Sequence, residues 1–241
     1  MIKILDNLKT LVIALIIAIL IRSLFFQPFY IPSSSMEPTL LVGDRIFVSK
    51  YSYGYSKHSF PFSPPIFSGR LFYSKPSYGD LVVFKTPSDN RTDFIKRLIG
   101  FPGDEVQLKN GELIINNKII FKKKTIFRSD IRCANDDIEV TEYTEENINQ
   151  KSYKIVYKNQ GSMINTDLYK VPENHFFFLG DNRDCSSDSR FLSNVGYVHV
   201  NNLVGKARLI FFSNDTKNGS VLKFWNWNKS MRLDRFFKKI E

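Results

Sequence analysis

An unbroken apolar run, Leu11 to Ile21, occupies the N-terminus and limits what the rest of the chain can be. Between Leu8 and Phe26 the only polar residues are Lys9, Thr10, Arg22 and Ser23. As a helix this segment reaches roughly 28 Å, close to the ~30 Å hydrocarbon thickness of a bilayer. Lys9 and Arg22 stand near its two ends, where long cationic side chains snorkel to the interface. A cleaved secretory signal is one rival, but the exit Arg22-Ser23-Leu24-Phe25-Phe26 lacks the small residues of a cleavage site. A buried core helix is another, which periodicity alone does not remove. The expectation is an uncleaved membrane anchor over residues 1–26. Lys3 and Lys9 ahead of the span favour an inside N-terminus, a bias that Asp6 weakens.

The remainder of the 241 residues can bury a sizeable core, and 43% of the chain is hydrophobic, which argues against disorder. Twenty-two Phe, together with 12 Gly and 10 Pro, suit a β-rich body with many turns. A formal charge of +10 points to nucleic acid or an anionic membrane surface, without choosing between them. With only Cys133 and Cys185 there is no disulfide framework. The two are free or paired, and their number does not fix the compartment.

Pro28 and Pro32 end regular helix and set an extended connection. Leu41 to Val48 reads as a turn feeding a short strand. Residues 54–79 match neither the helical nor the strand period. Their aromatics Phe60, Phe62 and Phe67 form a membrane-interface patch or fold back onto the core. Strands are expected at Leu81–Phe84 and Phe94–Ile99, then a hairpin over Val106–Ile115 turning on Asn110-Gly111. From about Lys118 to Asp167 charges alternate in sign, which reads as an inserted cap. His175–Leu179 reads as a buried strand that runs into a polar turn, Gly180 to Ser189. A last strand covers Leu203–Phe212. The basic tail from Lys217, with Trp225 and Trp227, reads as interfacial.

Three segments carry possible chemistry. In Pro32-Ser33-Ser34-Ser35-Met36-Glu37-Pro38, flanking prolines hold Ile31 and Glu37 extended and stiffen an exposed hydroxyl, although Ser-rich stretches beside proline are commonly linkers. His58, His175 and His199 could each serve as its base, and none carries a companion motif. Lys96 differs. On a strand it shares a face with Phe94 and Leu98, and loss of water there lowers an amine pKa toward the range of a neutral-pH base. The bland alternative is a strand-edge lysine with its ammonium in water. In the third segment, Gly180 to Arg190, Asp188 could pair with Arg190, and Ser186 could orient a lysine amine. The acidic spacing does not match a calcium loop.

Five pieces stand in order behind the span: Pro32–Leu40, Gly43-Asp44-Arg45, Gly79–Phe84, Phe94–Asp104 and Gly180–Arg190. Together they resemble the bacterial type I signal peptidases. The resemblance implies a mainly β fold: an antiparallel-sheet catalytic body with an inserted β-rich cap, preceded by one transmembrane helix. The corresponding division is 1–26 anchor, 27–108 first part of the body, 109–169 cap, 170–214 second part and 215–241 basic interfacial tail. It further implies a Ser-Lys dyad with Ser35 as nucleophile and Lys96 as general base. Ser186 would orient the amine, Asp188 and Arg190 would brace the turn, and the Ser35 N–H with the Ser33 hydroxyl would form the oxyanion hole. No cofactor or metal is implied. The implied partners are secretory precursors cut after small residues and a phospholipid bilayer, with no nucleic acid. The implied location is the cytoplasmic membrane, single-pass, with the body on its outer face. Cys185 departs from the Asn that many members carry there and opens a route to thiol sensitivity. Two other readings stand beside this one: a membrane-tethered binding module for nucleic acid or anionic lipid, and a relative dedicated to one secreted protein.

Overall fold

The structure is a computed structural model that describes residues 2–65, 67–134, 136–217 and 227–240. Trp225 of the basic tail lies outside the described residues, as do the side chains of Lys3 and Asp6. Helix α1 (Ile2–Leu24) contains an apolar window at Asn7–Leu24 with mean hydropathy 2.0, of which 6% is buried. This helix is therefore not packed into the body as a core helix. Its end is fastened to the body by the Tyr55 hydroxyl, which donates to the Leu24 carbonyl at 2.8 Å.

Beyond α1 the described residues form fifteen strands: β1 (Phe26–Tyr30), β2 (Asp44–Ser49), β3 (Leu81–Lys85), β4 (Asp93–Gly100), β5 (Glu105–Lys109), β6 (Glu112–Ile115), β7 (Lys118–Ile119), β8 (Lys122–Cys133), β9 (Asp136–Glu146), β10 (Ser152–Lys158), β11 (Tyr169–Lys170), β12 (His175–Leu179), β13 (Val198–His199), β14 (Leu203–Ser213) and β15 (Lys238–Lys239). The fold is mainly β and antiparallel. The main sheet runs β1-β2-β14-β3-β4-β12-β13, with β15 added beside β14. A four-stranded sheet (β11-β5-β6-β7) and a three-stranded sheet (β10-β9-β8) complete the chain.

Alternation along β3 and β4 sorts the core into two clusters. Val82, Phe84 and Leu98 pack with Phe176 and Phe178. Leu81 and Val83 pack with Ile31, Met36 and Ile46. The β5–β6 hairpin turns where expected, with Asn110 and Gly111 at φ 52° and 76°. Both residues favour the positive φ that a tight two-residue hairpin needs. This hairpin straddles the 108/109 division expected from sequence.

The stretch of alternating charge forms β8–β10, whose charges pair across strands. Glu142 is buried and meets both Arg128 (2.9 Å) and Lys154 (2.9 Å). The described end of the tail, residues 227–240, is docked on the body. Arg235 reaches the buried Asp44 carboxylate at 2.5 Å, and β15 pairs with β14. The 54–79 segment is divided in its behaviour. Phe60 and Phe67 are half-buried against each other, with ring centroids 6.2 Å apart, whereas Phe62 is fully exposed.

Candidate active site

The serine segment cannot relax away from the body. Ser34–Met36 form one 3₁₀ turn, and Glu37 leaves it extended at φ −64°, ψ 140°, as a residue before proline should. The Ser35 carbonyl accepts from the Asn182 N–H at 3.1 Å, and the Ser34 carbonyl accepts from the Asn182 amide at 3.2 Å. The Glu37 carboxylate, itself buried, accepts the Arg132 N–H at 2.8 Å. Burial raises the Glu37 pKa, partly opposed by backbone N–H donors and by Arg132 and Arg232. A segment that reads as a linker is thus clamped by three hydrogen bonds from Asn182 and Arg132.

Strand β4 brings Lys96 to this turn. Lys96 lies opposite Val82 on β3, between Phe94 and Leu98, and is 4% exposed. Its Nζ is 2.5 Å from Ser35 Oγ and 5.3 Å from the centre of the Phe94 ring. Loss of water lowers the Lys96 pKa to about 8, while the Asp188 and Asp181 carboxylates pull it back up and Arg190 pushes it further down. Ser33 Oγ stands 3.3 Å from Ser35 Oγ. Ser33, Ser35 and Lys96 share a cleft of about 400 Å³, whose wall is largely apolar through Phe29, Ile31, Ile46 and Val83.

Pairing of β12 with β4 through Phe178↔Leu98 and Leu179↔Arg97 delivers the polar turn alongside Lys96. Gly180 opens it with no room to spare: an added Cβ would lie 2.2 Å from Ser186 Oγ and 2.6 Å from the Ser35 carbonyl oxygen. Asp188 accepts the Gly180 N–H at 3.0 Å and pairs with Arg190 Nε at 2.8 Å. Arg190 also donates to the Arg183 carbonyl. Ser186 is buried in the turn, and its Oγ has no hydrogen-bond partner among the described residues, Lys96 included. The structure therefore gathers Ser33, Ser35 and Lys96 within contact distance and sets Asp188–Arg190 behind them. It leaves Ser186 without the amine contact expected of it.

Several groups escape a reading of the sequence. Arg97 clamps Asp181 through two contacts of 2.7 Å, and Asp181 also accepts from Thr39 at 2.5 Å, so β4, the turn and the serine segment share one buried ion pair. Arg183 pairs with Glu145 of β9 at 2.5 Å, and Tyr153 donates to the same carboxylate at 2.6 Å. The available signal is the density of charge in Gly180-Asp181-Asn182-Arg183-Asp184; the partners on other strands carry none. Cys133 and Cys185 form a disulfide that ties β8 to the polar turn, so neither presents a thiol. None of the three histidines lines the cleft. His58 is buried in the 54–79 segment, and His175 faces His199 across β12–β13 at 5.0 Å between ring centres.

Among the described residues no cluster of acidic, Cys or His side chains has the makings of a metal site. Comparison with known proteins identifies the family. Residues 4–212 match the family described as signal peptidase, peptidase S26. Signal peptidase I of Rickettsia conorii (strain Malish 7) is 40% identical, covering 93% of this chain and 88% of the relative. That of Rickettsia prowazekii (strain Madrid E) is also 40% identical, covering 93% and 89%. A crystal structure of a signal peptidase I from Enterococcus faecalis V583 aligns over 55% of this chain and 97% of its own, at 25% identity and a TM-score of 0.32. The chain belongs to the signal peptidases of family S26 and is a serine endopeptidase.

Proposed function

We propose that the chain is a membrane-bound signal peptidase that removes N-terminal signal peptides from exported precursors through a Ser35–Lys96 dyad. The observation that carries this reading is the 2.5 Å approach of a buried lysine amine to a serine hydroxyl in an apolar-walled cleft. At a pKa of about 8, roughly one Lys96 in ten is neutral at pH 7, against fewer than one in a thousand for an ordinary lysine.

The neutral amine accepts the Ser35 proton as Oγ attacks the scissile carbonyl carbon, forming one C–O bond and opening the C=O to an oxyanion. The oxyanion faces the Ser35 N–H and the Ser33 hydroxyl, donors placed where negative charge develops. Collapse breaks the C–N bond, and the Lys96 ammonium returns its proton to the leaving amine. The acyl-Ser35 ester is then hydrolysed by water that Lys96 deprotonates, which frees the signal peptide and regenerates both groups. Asp188 and Arg190 brace the turn, and Ser186 orients the amine once a substrate closes the site. The cleft wall of Phe29, Ile31, Ile46 and Val83 supports a preference for small apolar residues before the cut.

An exposed apolar helix at the N-terminus supports single-pass anchoring. The disulfide supports an outward-facing body, because such bonds persist in oxidising compartments. The test is incubation of the detergent-solubilised protein with an unrelated secretory precursor, followed by N-terminal sequencing of the product. Cleavage after a small residue that disappears in Ser35→Ala is expected. Full activity of Lys96→Met would remove the dyad.

A further inference from the structure

A second cavity, of about 620 Å³, opens where α1 meets the body and takes no part in the peptidase chemistry. Ile19 and Arg22 of α1 and Gln27 of β1 form one wall, and the 54–79 segment supplies His58 to Ser63. Four cations line it, Arg22, Lys50, Lys85 and Arg91, against one carboxylate, Asp93. Lys85 and Asp93 neutralise each other at 2.9 Å. No carboxylate among the described residues lies within ion-pair distance of the other three.

Lys50 is the unusual member. It is 2% exposed, yet among the described residues its ammonium is held only by the carbonyls of Ser59 (2.9 Å) and, more weakly, His58 (3.5 Å). Buried lysines are ordinarily paired, and an isolated buried charge is strongly penalised. Accordingly its pKa falls to about 8, through loss of water first and then through Arg22 and Lys85, with Asp93 opposing. On the same wall His58 is buried, its Nδ1 bonded to Ser63 Oγ at 2.9 Å and its Nε2 without a partner. Burial and the surrounding cations lower the His58 pKa to about 4, so the ring is neutral and can donate through one nitrogen. A concave site with three unpaired cations, one of them buried, is built for an anion.

The surroundings identify which anion. The cavity touches the last turns of the apolar helix, and Phe60 and the fully exposed Phe62 sit on its lip. We propose that this cavity binds the phosphate headgroup of an anionic phospholipid, with Arg22, Lys50 and Arg91 as its counter-ions and with acyl chains lying along α1 and Phe62. The inference rests on the reading that α1 spans a membrane. It gives the 54–79 segment a role: its aromatics enter the interface while its backbone holds Lys50.

The test uses full-length protein and phosphatidylglycerol as probe, with phosphatidylcholine as control. Retained lipid is counted by native mass spectrometry, and vesicle binding is followed by flotation. The wild type is expected to retain phosphatidylglycerol over phosphatidylcholine. Arg91→Gln and Lys50→Met are each expected to weaken retention about fivefold, the worth of one cation beside an anionic headgroup. Arg91→Gln should cleave a soluble peptide at the wild-type rate, which reports an intact fold. Equal retention of the two lipids, or wild-type retention by Arg91→Gln, would overturn the inference. Displacement of the lipid by soluble glycerol phosphate at matched concentration would overturn the lipid assignment in favour of a free phosphate ligand. Failure to float with either vesicle would instead sink the spanning reading on which the inference stands.

Discussion

Replacing Lys96 by Met should destroy the activity and, at neutral pH, stabilise the protein. The folded state holds the Lys96 pKa at about 8 against 10.5 for a free lysine, chiefly through loss of water. Below pH 8 the amine is charged in both folded and unfolded states, and the fold bears the full penalty of a buried ammonium. A shift of that size corresponds to about 3 kcal/mol. Between 8 and 10.5 the unfolded chain binds more protons than the folded one, so wild-type stability rises with pH across that window. Above 10.5 the amine is neutral in both states and the penalty is gone. Met fills nearly the same volume without a charge, and loses one hydrogen bond to Ser35 worth about 1 kcal/mol. The expected net gain near pH 7 is about 2 kcal/mol, or roughly 4–8 °C in Tm for a body of this size. Thermal unfolding of both proteins in the same detergent, followed from neutral pH to beyond 10.5, should show the gain shrink and then reverse to a deficit of about 1 kcal/mol, the lost hydrogen bond. A difference independent of pH, or a variant less stable at pH 7, would refute the desolvation argument.

The same geometry sets three further outcomes. In the wild type, kcat/KM for a peptide substrate should climb with pH through an inflection near 8 and level off above it, because in the proposed dyad only the neutral Lys96 is competent. Gly180→Ala should lower kcat steeply and destabilise by about 1–3 kcal/mol, since its Cβ must displace Ser186 or the Ser35 backbone; denaturant unfolding and turnover measure the two effects. Glu145→Gln strands the buried Arg183 guanidinium, so a loss of about 3–5 kcal/mol is expected, and a double variant with Arg183→Met should recover much of it.

Much of this molecule is legible in its sequence, because the readable parts are local. The short β-forming runs Leu81–Phe84 and Phe94–Ile99 mark β3 and β4, and Asn110-Gly111 locates a hairpin turn. The flanking Phe94 and Leu98 single out Lys96 as an amine that loses water, but only on the assumption of a strand, which the fold supplies. What local pattern cannot carry is the identity of a distant partner. Alternation shows that Arg97 points away from Lys96, but not that it pairs with Asp181, 84 residues on. The Cys133–Cys185 bond spans 52 residues across β8 and the polar turn. Charges between Lys118 and Asp167 give no period because β8, β9 and β10 satisfy them sideways, strand to strand, as Glu142 does with Arg128 and Lys154. The 54–79 segment defies both periods for a related reason. Arg70 holds it in place by donating to the backbone carbonyls of Tyr53, Gly54 and Val200, contacts that leave no repeating trace.

The proposed dyad requires that one buried amine beside Ser35 give up its proton near neutral pH. Lysine labelled with ¹³C at Cε, followed by NMR through a pH titration and assigned by loss of the resonance in Lys96→Met, measures this directly. A Lys96 inflection near 8, well separated from the exposed lysines near 10.5, is expected. A Lys96 resonance that titrates together with the exposed lysines would contradict it.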